Sequence, residues 1–168
     1  MKYLLIACLF LSSCSLKYYP LKGSYPTPPI VDYSDKSVDA VWSNIIDLFS
    51  QRGISIKIID KSSGLIISSQ SEILSTYENK KGEPINPNAY VVVERNNMEE
   101  QEARKAPLYP VLGEWNIRIK ADNGRTSINV NIVNISSERQ GGYGRTEKFD
   151  PHAHTTGVFE KLIFEKIK

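Results

Sequence analysis

Trp115-Asn116-Ile117-Arg118-Ile119-Lys120, then Asp122-Asn123-Gly124, then Ile128-Asn129-Val130-Asn131-Ile132 is the stretch whose reading decides the fold. Apolar and polar side chains alternate on both arms, the period of a strand with one buried and one wetted face. Asn123-Gly124 supplies residues that tolerate the backbone angles of a tight hairpin turn. Val133 and Ile135 fall out of phase with the second arm, so a bulge, or a strand covered on both sides, is expected there.

The same alternation extends upstream. Ala89 to Glu94 reads as a strand, and Ile54, Ile56 and Ile58 alternate with Ser55 and Lys57. Asp60-Lys61-Ser62-Ser63-Gly64 then turns the chain, and Leu65-Ile66-Ile67 restarts it as a strand running toward Leu74. Helical periods flank these strands. Val38, Val41, Trp42, Ile45, Leu48 and Phe49 form one apolar stripe, with Ser34 or Ser37 as its cap and Gly53 at its end. Phe159, Leu162, Ile163 and Ile167 form another, in a helix expected to begin near Thr155 or Thr156. Helix, about five strands, helix is the order of an α+β domain, predicted over 34–168, with both helices packed on an antiparallel sheet.

Two stretches resist regular structure. Tyr77 to Asn88, interrupted by Gly82, Pro84 and Pro87, reads as a loop. Asn96 to Pro110 reads as an exposed excursion with a short helix at Met98 to Lys105. Excursions of this length are often functional or disordered; this one reads first as a solvated loop and otherwise as a contact surface, with Met98, Glu99, Glu100, Arg104 and Tyr109 as its candidate contact residues.

The chain opens differently. Lys2 precedes an uncharged run from Tyr3 to Phe10, too short to span a bilayer, and Leu11-Ser12-Ser13-Cys14 follows. This ending resembles the lipobox of bacterial envelope lipoproteins. The resemblance implies a signal peptide over 1–13, cleavage between Ser13 and Cys14, diacylglycerol on the Cys14 thiol and an acyl chain such as palmitate on the new amine. Three chains hold a protein at a membrane almost irreversibly. Ser15 stands where an aspartate would imply inner-membrane retention, so the resemblance implies the outer membrane, with the domain facing the periplasm. Residues 14–33, with Pro20, Pro26, Pro28 and Pro29, read as a lipidated tether rich in proline and tyrosine. Tyr18, Tyr19 and Tyr25 read first as incidental aromatics of an anchor spacer, and otherwise as rings that rest at the membrane interface or meet a partner.

Cys8 and Cys14 are the only cysteines, so a mature chain has no thiol for a disulfide or a metal. With 21 basic and 19 acidic side chains the whole is close to neutral. That gives no electrostatic reason to expect nucleic acid or a polybasic membrane patch.

Val41-Trp42-Ser43-Asn44-Ile45-Ile46, Gly53-Ile54-Ser55-Ile56 and Asp60-Lys61-Ser62-Ser63-Gly64-Leu65-Ile66 together resemble a pattern shared by several envelope lipoprotein domains. Among them are the helix-grip repeats of the barrel-assembly machinery C lipoprotein, where a helix lies across a curved antiparallel sheet. The resemblance implies a helix-grip-like, noncatalytic domain that acts through protein contacts. The single domain and the excursion at Asn96 to Pro110 depart from that two-repeat arrangement.

Catalytic patterns are weak by comparison. Asp150, His152 and His154 are the candidates for a partial zinc site, without an H-E-x-x-H helix to complete it. Gln140-Gly141-Gly142-Tyr143-Gly144-Arg145 lacks the spacing of a phosphate loop, and no serine sits in a G-x-S-x-G elbow. The expectation is therefore an outer-membrane lipoprotein, not an enzyme, without a cofactor, serving envelope structure or assembly beside a protein partner. The alternatives are an apolar-ligand carrier and, behind it, a metal-dependent hydrolase.

Overall fold

The structure, a computed structural model, describes residues 17–97 and 105–168. Two short strands, β1 (Tyr18–Tyr19) and β2 (Ile30–Ser34), precede helix α1 (Val38–Gln51). Ser37 caps this helix, its hydroxyl accepting the Ala40 amide at 3.3 Å. Gly53, at φ 65°, closes the other end by donating to the Ser50 carbonyl. The expected hairpin follows as β3 (Ile56–Asp60) and β4 (Leu65–Ser68). Its turn depends on Gly64, at φ 71°, where a Cβ would run into the Ile119 carbonyl oxygen. The chain continues through β5 (Ser71–Ile73), β6 (Ser75–Thr76), β7 (Val91–Val93), β8 (Arg95–Asn96), β9 (Val111–Asp122) and β10 (Arg125–Gln140). A single 3-10 turn at Gly142–Gly144 leads into β11 (Thr146–Phe149) and β12 (Ala153–Thr155), and helix α2 (Val158–Ile167) ends the described chain.

These elements make one α+β domain with a mostly antiparallel sheet and, among the described residues, two helices. The main sheet runs β11-β10-β9-β4-β3, with β2 also on β10 and β5 also on β9. It therefore has seven strands against about five expected in the whole domain, and one of those five, Ala89 to Glu94, lies outside it as β7, so three of the seven are in excess. One excess strand arises because the run from Leu65 toward Leu74 breaks at Ser69-Gln70 into β4 and β5, which both pair with β9. The others are β2 and β11, neither of which carries a strand-like alternation. The β9–β10 ladder shifts register between Val133 and Ser136, where Asn134 takes φ 53°. This is the place where the sequence falls out of phase. A smaller sheet, β12-β7-β6, contains the parallel pair β6–β7.

Both helices cover one face of the main sheet. Val41, Ile45 and Phe49 of α1 and Phe159, Ile163 and Ile167 of α2 are fully buried, with Ile117, Ile128 and Val130 beneath them. Trp115 stacks on Phe159 at 3.9 Å between ring centres, and Tyr90 and Phe49 meet the same phenyl ring at 5.1 and 6.3 Å. On the other face Glu114 is held by Lys57 at 3.0 Å and by Asn134 at 2.9 Å. These donors, Lys57 foremost, keep its carboxyl below the ordinary range. The outer strand β3 leaves Ile58 and Ile59 41% and 55% exposed, and its own ladder is irregular between Ile56 and Ile58.

Helix α2 starts at Val158, later than the sequence suggests, because Gly157 stands at its N-cap with φ 83° and the threonines before it form the turn instead of joining the helix. Thr156 Oγ1 accepts the Val158 amide at 3.3 Å, and Thr155 Oγ1 accepts the Gly157 amide at 3.1 Å. Thr155 also donates to Glu160 Oε1 at 2.6 Å. Glu160 is 1% exposed and its Oε2 has no partner. Burial pushes this carboxyl above its usual value, against the smaller opposing effect of Thr155.

Two stability predictions follow from this packing. Phe159→Ala removes the ring shared by Trp115, Tyr90 and Phe49 and should lower the unfolding free energy by about 3 to 5 kcal/mol in denaturant titration. Glu160 binds its proton more tightly folded than unfolded, so stability is greatest below the unfolded value of 4.5 and declines as pH rises from there to the raised folded value. Glu160→Gln, which has no such proton to lose, should raise the melting temperature at pH 8, and the gain should shrink toward zero by about pH 4.

Candidate functional site

The described part of 14–33 does not stand off the domain as a tether. Its prolines lack donors, but several of its other polar groups find fixed partners on the domain. Lys22 and Gly23 donate to the Glu78 carboxylate at 2.7 and 3.1 Å, and Tyr25 Oη donates to the Gly82 carbonyl at 3.1 Å. Gly23 and Gly82 approach so closely that a Cβ on either would strike the backbone of the other. Strand β1 pairs with β8, and β2 pairs with β10 from Thr126 to Val130. The expected spacer is thus a strap along the domain surface.

Strap and domain enclose a groove of about 510 Å³. Lys22 borders it from the strap, Lys80 from the Tyr77 to Asn88 loop, Arg95 from β8, and Lys105 from the far side of the excursion. Arg95 lies over the Tyr77 ring at 3.9 Å, a cation–π contact that fixes the guanidinium beside the groove. Among the described lining residues Glu78 is the only carboxylate, and the strap amides occupy it. Among the described lining residues, cationic side chains therefore outnumber carboxylates, a local grouping that the near-neutral total does not show. Tyr19, Leu21 and Ile85 supply apolar wall.

A second cluster adjoins β1. His152 faces Glu94 directly across the β7–β12 ladder extended by one pair, and the Glu94 amide donates to the His152 carbonyl at 3.1 Å. His154, two residues on, shares that side of the strand. His152 Nδ1 lies 3.4 Å from Glu94 Oε2, and His154 Nε2 lies 3.6 Å from Oε1. Tyr18 stacks on the His152 ring at 4.1 Å. Asp150, expected beside the histidines as a ligand, instead accepts the His152 backbone amide at 2.8 Å and so shapes the turn. Among the described residues no group of three His, Cys, Asp or Glu side chains could hold a metal ion.

The contact residues predicted from sequence divide in two. Tyr109 is half-buried, its ring set edge-on to Phe149 at 5.6 Å. Met98, Glu99, Glu100 and Arg104 lie outside the described residues, as do Ser13 and Cys14. Glu78, Glu94 and Arg95 escaped the sequence reading. Only Glu94 left a signal there, at the end of the strand-like run from Ala89. Compared with known proteins, the chain matches no family model and no curated protein.

The strap contact has a titration signature. Burial, reinforced by the charge and hydrogen bonding of Glu78, pushes the Tyr25 phenol up to about 12. Glu78→Gln should bring it part of the way back toward 10, as read by NMR titration of the tyrosine Cζ carbons, because burial persists when the charge is gone.

Proposed function

We propose that this chain is a lipoprotein of the bacterial outer membrane, anchored through lipid on Cys14, whose noncatalytic domain faces the periplasm and serves envelope structure or assembly through protein contacts. The observation that carries this reading is Leu11-Ser12-Ser13-Cys14 closing a short apolar run that begins after Lys2. A thiol at that position suits diacylglycerol transfer, and the small residues before it suit the peptidase that cuts there. No helix among the described residues is long and apolar enough to cross a membrane.

Two further observations favour contact over catalysis or ligand carriage. The space between helices and sheet, where an apolar ligand would lodge in a grip fold, is filled by Trp115 stacked on Phe159. Asp150 is engaged by backbone, not aimed with the histidines at a common point. We read the two helices across a broken antiparallel sheet as helix-grip-like, in keeping with the resemblance over residues 41–66. The contact surface proposed is the end of the domain around Tyr109, continuous with the excursion that precedes it.

Intact-mass analysis of protein extracted from membranes should show a chain beginning at Cys14 and carrying three acyl chains. Cys14→Ser should lose that mass and retain residues 1–13. An unmodified amino end in the native protein would remove the anchor. A photocrosslinker at Tyr109 in growing cells should capture an envelope protein, and its failure to capture one would count against the contact role while leaving the anchor standing.

A further inference from the structure

We infer that the lysine-lined groove beneath the strap binds the anionic phospholipid headgroups of the bilayer, laying the domain on the membrane in one orientation; this rests on the lipid attachment proposed at Cys14. The argument begins with reach. Only Ser15 and Leu16 separate Cys14 from Lys17. Lys17 is already fixed to the domain, its carbonyl accepting the Asn97 amide at 3.0 Å, and Tyr18–Tyr19 pair with Arg95–Asn96 directly after it. A fully extended chain gains at most about 3.6 Å per residue, so the three steps between them keep Lys17 within about 11 Å of the lipidated cysteine. The groove opens a few residues further on, at Tyr19 and Lys22. A domain held so closely brings this end to the headgroups.

Charge and shape agree with that placement. Lys22, Lys80 and Lys105 are exposed, come from three separate segments and converge on one concavity. The lysine ion pairs of the described structure lie elsewhere, on Lys57, Lys61, Lys148, Lys161 and Lys168. Among the described lining residues the one carboxylate, Glu78, is held by the strap amides. About 510 Å³ is ample for a phosphate and its glycerol substituent. Tyr19 is 42% exposed and Ile85 37%, which sets amphipathic and apolar surface beside cations, the composition that suits a headgroup layer. Because the anchor already holds the chain at the surface, each contact is intramolecular in effect, and a few weak charge contacts are enough to fix orientation.

The test uses the native protein, its acyl chains confirmed by mass, reconstituted into vesicles of phosphatidylcholine alone or with phosphatidylglycerol, and labelled with a membrane-impermeant amine reagent. Lys22, Lys80 and Lys105 should react at least about fivefold more slowly in the anionic vesicles, with Lys120 and Lys161 unchanged. Lys80→Glu should restore much of the reactivity of Lys22 and Lys105. Equal labelling in both vesicles on a confirmed lipoprotein overturns the inference alone. Equal protection by soluble glycerol phosphate over phosphatidylcholine vesicles assigns the groove to a free anion and overturns the membrane source. A native chain without acyl mass overturns the anchor and this inference together.

Discussion

Strands β9 and β10 pair from Asp122–Arg125 to Val111–Ser137, and the other strands of the main sheet depend on the two edges this ladder offers. The outer edge of β10 carries β2 near one end and β11 near the other; the outer edge of β9 carries β5 and β4, and β4 in turn carries β3. Trp115, Ile117 and Ile119 point from this ladder toward the helices, so the hairpin also fixes the face on which α1 and α2 assemble. Long-range pairing of this kind incurs its entropic cost before packing repays it, and a tight turn at Asn123-Gly124 reduces that cost by making the longest ladder a local one.

What sequence made legible was whatever had a period. The isoleucines of β9 and β10 repeat every second residue and the apolar stripe of α1 every three to four, and both appear where that arithmetic puts them. Strand β2 lacked such a signal because Pro26, Pro28 and Pro29 lead into it, and proline argues for an irregular approach without excluding a strand that starts just after it. The two-residue strands β1 and β8 are too short to carry any period. The groove was illegible for another reason: Lys22, Lys80, Arg95 and Lys105 are spread through the sequence, and a chain-wide charge sum averages away what folding gathers.

The histidine cluster shows the same division at the scale of a few residues. His152 and His154, read from sequence only as a partial zinc site with Asp150, flank a short strand segment and share a side of it, yet the carboxylate they face is Glu94, from another strand, and not the neighbouring Asp150. Asp150 was the natural candidate by proximity along the chain. Short acidic side chains near a turn tend to bond their own backbone two residues on, and this one does so. Local chemistry took the ligand candidate away, and tertiary pairing supplied a different acid.

The irregular outer strand of the sheet bears on how copies of this chain would coexist if the proposed anchor held them in one layer. An open sheet margin with apolar side chains invites a neighbour to add its own strand, and anchoring to a surface would bring such margins into frequent collision. In β3 the break between Ile56 and Ile58 leaves only Ile58–Asp60 regular, while Lys57 projects beside it toward Glu114. A docking strand would find too short a straight template and a charge to strip of water. The kink thereby guards against lateral fusion of sheets while keeping Ile58 and Ile59 at the surface.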